Sequence, residues 1–186
     1  MGTDKAFLVL DGRTLLARML EIAQSVSASV RVVGERSKYE SFAPVVEDVF
    51  PGCGPLAGIH AALRFSTTDL NLILAVDTPF VSAALLDYVL LRARNSTTIA
   101  ILPRAGGGLQ PLCAVYRREF SNFAERALAA GQYKIDRLFD QASVLIIPQE
   151  ELERAGFDAA LFRNLNTSSD VASLHNRAEA GDLHLP

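Results

Sequence analysis

The chain has 186 residues, 49% of them apolar and 21% charged, the balance of one soluble globular domain. A chain of this length buries about 70% of its unfolded surface without disulfide or metal staples. Its formal net charge of −3 excludes the basic footprint of a nucleic-acid partner, and no apolar run nears the roughly 20 residues of a membrane helix.

An anionic ligand therefore has to be held locally, by a metal, a lysine or helix N-termini. The opening MGTDKAFLVLDGR, interrupted by Asp4 and Asp11, is not expected to be a signal peptide. Cys53 and Cys113 lie far apart without metal-ligand spacing, which predicts reduced thiols and a cytoplasmic location.

In chain order, Leu15, Met19 and Ile22 at helical spacing predict a helix from Thr14 to Gln24. Val30 to Gly34 reads as a strand, and Val45-Val46 starts another. Pro55 to Phe65 reads as a helix with proline in its first position. Leu70 to Val76 (LNLILAV) is rich in branched apolar residues and too short for a helix, so it predicts a central strand buried on both faces. Ser82 caps a helix reaching about Arg94.

Strands are expected at Thr97 to Pro103 and Leu112 to Tyr116, linked through Gly106-Gly107-Gly108. A helix follows from Glu119 to Ala130, stopped by Gly131. A short helix over Ile135 to Asp140, a strand over Ser143 to Ile147 and a helix over Gln149 to Arg154 come next. Asn164 to Asn166 is expected to end a last short strand. Thr167 or Ser168 then caps a final helix with Asp170 in its first turn. Residues 177–186 read as a loose tail. This alternation predicts a single α/β domain with a mostly parallel sheet.

Five segments could carry chemistry. Asp77, with Thr78-Pro79 behind it, stands at the carboxyl end of the central strand, where open parallel sheets bind ligands. It reads as a Mg²⁺ ligand, since that ion takes one or two carboxylates plus phosphate oxygens. The alternative is a plain turn residue. Gly52-Cys53-Gly54-Pro55-Leu56-Ala57-Gly58 lets the backbone turn tightly and opens a helix whose free N–H groups favour an anion or a base edge. Gly58 is expected to clear room for such an approach, and Asp48 upstream could accept from a nucleobase or ribose. A tight turn and a solvated carboxylate are the bland readings.

Lys5, beside Asp4, can meet phosphates as a point charge, or simply be a solvated lysine. Gln110-Pro111 follows a glycine link that reads as a mobile closure or as a hairpin. Asn164 and Asn166, at alternate positions, can grip a polar ligand if the segment is extended, or merely precede a helix cap. His60, His175 and His184 have no metal-ligand spacing. No nucleophile elbow and no Walker-type loop occurs.

Taken in order, these segments resemble the molybdenum cofactor guanylyltransferases. The residues that carry the likeness are Met1-Gly2-Thr3-Asp4-Lys5, Gly54-Pro55-Leu56-Ala57-Gly58, Asp77-Thr78-Pro79, Gln110-Pro111 and Asn164-Leu165-Asn166-Thr167-Ser168-Ser169-Asp170. They span nearly the whole chain. Related cytidylyltransferases share the layout, but the Gly-Pro-Leu-Ala-Gly turn with the Asn-Thr ending fits the guanylyl branch better.

The resemblance implies a three-layer, doubly wound fold like that of nucleotide-diphospho-sugar transferases. It implies Mg²⁺-dependent transfer of GMP from GTP to molybdopterin, with release of pyrophosphate. Asp77 would then hold Mg²⁺ and Lys5 neutralise the triphosphate. Asp48, Gly54, Pro55 and Leu56 would form the guanosine side, and Gln110, Pro111, Asn164 and Asn166 the pterin side. Molybdoenzymes or their chaperones are the implied protein partners. The family's opening strand and glycine-rich loop, Leu-Ala-Gly-Gly-x-x-x-Arg, are not present ahead of Asp4-Lys5. The expectation is a start upstream of Met1, the alternative a shortened variant, and in either case weakened GTP binding. A non-catalytic nucleotide- or pterin-binding remnant and a CTP-using cytidylyltransferase are the alternative functions.

Overall fold

A computed structural model describes residues 4–165 together with Asp170. The described chain starts with a 3-10 turn, Lys5–Phe7, capped by the Asp4 carboxylate, which accepts from the Ala6 N–H at 3.1 Å. Strands β1 (Val9–Leu10) and β2 (Arg13–Thr14) form a hairpin closed by Asp11 and Gly12, both at positive φ. An Asp-Gly pair supplies the two left-handed residues that a tight hairpin turn needs. Thr14 then caps α1 (Leu15–Val26), its hydroxyl accepting from the Ala17 N–H. The Leu15, Leu16 and Met19 face of α1 is buried and packs toward α4 (Ala83–Arg94).

Between them, β3 (Val32–Val33) pairs parallel with β4 (Val45–Val46), and the short α2 (Arg36–Tyr39) lies in the connection. Helix α3 (Pro55–Arg64) follows, with Pro55 in its first turn, then β5 (Leu70–Leu74). Ser82 caps α4 as expected, accepting from the Leu85 N–H at 3.3 Å. After α4 come β6 (Ala100–Ala105), β7 (Gly108–Leu109) and β8 (Cys113–Arg117). They are followed by α5 (Phe120–Ala129), α6 (Asp136–Phe139), β9 (Val144–Ile147), α7 (Gln149–Arg154) and a 3-10 turn at Ala159–Phe162.

The main sheet runs β5-β8-β6-β9, with β7 folded back on β6. Strand β8 is antiparallel to both neighbours, whereas β6 and β9 are parallel. Strands β5, β6 and β9 therefore point one way, and β8 and the short β7 run against them. The β6–β7 link through Gly106 and Gly107 is a hairpin, the bland reading of that glycine run.

Side chains alternate between two apolar layers, as a strand period of two requires. Ala100, Leu102, Ala114 and Tyr116 face Leu56, Leu63 and Phe120 of α3 and α5. Ile101, Cys113, Val115 and Ile147 face Met19, Leu85, Val89 and Leu152 of α1, α4 and α7. The sheet is thus the middle of three layers.

Expectations change at β5 and at Asn164-Leu165. The segment from Leu70 is a strand only to Leu74, and its five residues are half-buried, not buried on both faces. Its one pairing partner among the described residues is β8, so β5 forms an edge there, and an edge strand keeps part of its flank wet. Asn164 and Leu165 are not in a strand. Asn166, the Thr167 or Ser168 cap and the tail lie outside the described residues, although Asp170 itself is helical.

Candidate active site

The carboxyl end of β5 gathers residues from distant parts of the chain. Beyond Leu74 the Ala75 N–H still bonds the Leu112 carbonyl at 2.7 Å, and then the chain leaves the sheet. Thr78 is buried and its hydroxyl donates to the Ala75 carbonyl at 3.1 Å, which folds the turn tightly around Asp77. The Asp77 carbonyl accepts from the Leu165 N–H at 2.7 Å.

A small apolar cluster of Leu8, Leu10, Leu15, Phe80 and Leu165, with Val76 against it, binds the N-terminal hairpin to this strand end. That packing brings Lys5 to Asp77: its Nζ lies 3.0 Å from Oδ2, with side-chain exposures of 42% and 19%. A pair this open contributes about 1 kcal/mol or less to stability. Its interest is chemical, because 72 residues of sequence separate an ammonium and a carboxylate that the fold sets together. Arg163 adds a second cation, its guanidinium 4.9 Å above the Phe80 ring.

The N-terminus of α3 is the second element. Gly52 and Gly54 have φ of 79° and 74°, and a Cβ at either position would meet nothing within 4 Å. Glycine is there for the left-handed backbone, and open space lies in front of the turn. Pro55 brings no N–H and the Ala57 N–H turns back to the Gly54 carbonyl. By helix geometry the Gly54 and Leu56 N–H groups have no acceptor within the helix. The Leu56 side chain is fully buried, so any ligand contact it makes is through its backbone. At Gly58 a Cβ would lie 3.8 Å from Val33 Cγ1 of β3, an ordinary van der Waals contact.

Asp48 is exposed by area, yet the protein beneath it desolvates the carboxylate and raises its pKa, an effect the imidazole of His60 partly opposes. His60 is almost wholly buried on α3, edge-on to Phe50 at 5.2 Å, and neither ring nitrogen has a partner among the described residues. Burial lowers its pKa, the Arg64 cation acts the same way, and Glu125 and Asp48 oppose them.

Gln110 closes the β6–β7 hairpin, donating from Nε2 to the Ala105 carbonyl at 3.0 Å and from its backbone to Pro103 at 2.9 Å. The Pro111 carbonyl accepts from the buried Tyr116 hydroxyl at 2.8 Å. Both residues lie on the chain just ahead of Leu112, hence at the Asp77 end of β5. Asn164 is exposed and adjoins Leu165, which places it beside Asp77. The fold thus groups Lys5, Asp77 and Asn164 directly and sets Gln110-Pro111 at the same sheet end.

Sequence reasoning gave no role to Tyr39 or Arg163. Tyr39 donates to Asp4 at 2.7 Å across 35 residues, a separation with no local signal. Arg163 directly precedes Asn164, but a single arginine carries no pattern of its own.

Among the described residues no group of three or more His, Cys, Asp or Glu side chains converges on one point. A half-buried carboxylate at a strand end does fit Mg²⁺, which completes its shell with phosphate oxygens and water. No helix among them is long and apolar enough to cross a membrane.

A family model described as the MobA-like NTP transferase domain matches residues 1–145. The molybdenum cofactor guanylyltransferase of Desulfosudis oleivorans is 30% identical, over 98% of this chain and 91% of that protein. A probable molybdenum cofactor guanylyltransferase of Pelotomaculum thermopropionicum is 31% identical over 96% of this chain and 87% of its own. Among solved structures, molybdopterin-guanine dinucleotide biosynthesis protein A from Archaeoglobus fulgidus superposes with a TM-score of 0.82 at 26% identity, covering 96% of this chain and 92% of that one. The 2-C-methyl-D-erythritol 4-phosphate cytidylyltransferase of Thermus thermophilus shares the fold at a TM-score of 0.68 and 21% identity, over 96% of this chain and all of that one.

Proposed function

The chain belongs to the MobA-like NTP transferase domain family, and on that ground we propose that it is a guanylyltransferase of molybdenum cofactor biosynthesis. Its substrates are GTP and molybdopterin. A terminal phosphate oxygen of molybdopterin attacks the α-phosphorus of GTP. The bond from that phosphorus to the α,β-bridging oxygen breaks, and pyrophosphate leaves with the electron pair. No protein nucleophile is required, so positioning and charge neutralisation carry the catalysis. The cytoplasm is the compartment that fits two free thiols, Cys53 and Cys113.

The observation that carries this reading is the meeting of Lys5 and Asp77 at 3.0 Å on the end of β5. Lys5 supplies an ammonium to phosphate oxygens, as a compact point charge does. Asp77, with phosphate oxygens, would hold Mg²⁺, which offsets charge building on the phosphates. The turn at Gly54, with the Leu56 N–H and Asp48, takes the guanosine. Pro55 shapes that turn without contributing a donor. Gln110, Pro111, Asn164 and Asn166 are assigned to the pterin, and the product passes to molybdoenzymes or their chaperones.

The test is incubation of the chain with Mg²⁺, molybdopterin and labelled GTP or CTP. Pyrophosphate released with GTP, and lost on adding EDTA, supports the assignment. Release with CTP alone moves the chain to the cytidylyl branch. Binding of GTP without turnover makes it a nucleotide-binding protein.

A further inference from the structure

Helix α2 is four residues long, and only Tyr39 in it is withdrawn from solvent. The Tyr39 side chain reaches the turn that bears Lys5 in two ways. Its hydroxyl donates to Asp4 Oδ2 at 2.7 Å, while Oδ1 of the same carboxylate accepts from the Ala6 N–H at 3.1 Å. Its ring stacks on Phe7, with centroids 6.0 Å apart and planes 21° from parallel. Behind it the chain has Gly34, where a Cβ would lie 2.7 Å from Tyr39 Cε2. Lys5 sits between the two residues, Asp4 and Ala6, that the shared carboxylate ties together.

We propose that Tyr39 is a positioning residue for Lys5: it fixes the Asp4 carboxylate, the carboxylate fixes the turn, and the turn aims the ammonium at Asp77. This rests on the guanylyl-transfer reading for its consequence but not for its geometry. A lysine side chain has many rotamers and loses that freedom, at a cost, when it is held. A turn fixed at both ends removes backbone freedom from that cost before the ligand arrives. The hydrogen bond joins a phenol to a carboxylate, and such charge-assisted bonds are the strong ones. Burial, and then the Asp4 carboxylate, push the Tyr39 hydroxyl up to about 12, so it remains a donor across the working range of pH.

Tyr39→Phe removes only the hydroxyl. The first measurement is ligand-free: the ¹⁵Nζ and ammonium proton signals of Lys5, recorded beside those of Asp77→Asn. Tyr39→Phe should move the Lys5 signal toward its position in Asp77→Asn, with circular dichroism unchanged. Asp4→Ala, which cuts the same link from the other end, should reproduce the shift. A Lys5 signal left in place by both variants overturns the proposal.

The second measurement is Mg-GTP affinity, with Tyr39→Phe expected to weaken it about fivefold. In a Lys5→Met background the same substitution should change affinity by less than about twofold, because its effect runs through the lysine. An undiminished loss in that background also overturns the proposal. If the unaltered chain binds no Mg-GTP, the functional reading fails, and the Lys5 signal alone decides the role of Tyr39.

Discussion

Asp77 and Lys5 do different things for the same triphosphate, so their removal should differ in kind. Asp77→Ala takes away a ligand whose charge matters most as the leaving group develops. It should lower kcat/KM on the order of 100-fold, mostly in kcat. Steady-state rates of pyrophosphate release check this, and unchanged turnover removes the central assignment. Lys5→Met should instead raise KM for GTP.

His60 offers a second residue-scale prediction. Burial holds its imidazole below the ordinary value of about 6.5, so the unfolded chain takes up the proton first. Its contribution to stability is present above pH 6.5 and is lost as pH falls from there through the folded value. With both ring nitrogens lacking partners among the described residues, His60→Leu should flatten this acid-side loss. Melting temperatures from pH 8 to 5 should show the variant gaining on the parent as pH drops. The place of Asp77 just past a strand end was legible in the sequence because a short branched apolar run stops there with Pro79 close behind, although a turn residue would read the same. Its partner was readable only through a family likeness, since one lysine carries no pattern.

At the scale of elements, β5 is the one whose chemistry departs from its sequence. The ladder with β8 uses Asp69, Asn71, Ile73 and Ala75, because the Arg118 N–H reaches the Asp69 carbonyl and the Ala75 N–H reaches Leu112. By antiparallel alternation, the backbone groups of Leu70, Leu72 and Leu74 point to the other edge. Amide exchange should split along the strand. Leu70, Leu72 and Leu74 are expected to exchange at least about tenfold faster than Asn71 and Ile73. Equal protection along β5 would mean that its outer edge is covered.

The pattern LNLILAV could not reveal this, since apolar density reports contact on the faces and is silent about the edges. Strand β8 is similar: its apolar run marked a strand, but direction is set by the hairpin before it. The helices were far more readable. Thr14, Ser82 and Pro55 mark starts by local hydrogen bonding or fixed φ, and Gly131 at φ 71° marks a stop. The β1–β2 hairpin has a turn signal in Asp11-Gly12, but its strands are two residues each, too short to show alternation.

Across the whole molecule, the proposed ligand is divided between two structural bodies. The guanosine side belongs to the loop after β4 and the start of α3, a helix that packs on α5 and on β3. The phosphate side belongs to the end of β5, held by the N-terminal hairpin through Leu8, Leu10 and Leu15. If this division is right, pieces of the nucleotide should report on separate residues. Lys5→Met should weaken Mg-pyrophosphate and Mg-GTP by similar factors, because both carry the phosphates its ammonium serves. Asp48→Ala should weaken GTP and guanosine about tenfold, near 1.4 kcal/mol, and leave pyrophosphate unaffected.

The Asp48 change should also show in stability. Desolvation raises its pKa, so the unfolded chain gives up that proton first, and stability is lost as pH rises from about 3.9 through the folded value. Asp48→Ala should therefore melt slightly higher than the parent at neutral pH while binding GTP less well, the usual signature of a group kept for function at a cost to the fold. Calorimetric titration with the three ligands, alongside melting curves, reads both effects. Equal loss of pyrophosphate and GTP binding in the Asp48 variant would move the base to another part of the surface and leave only the phosphate half of the site standing.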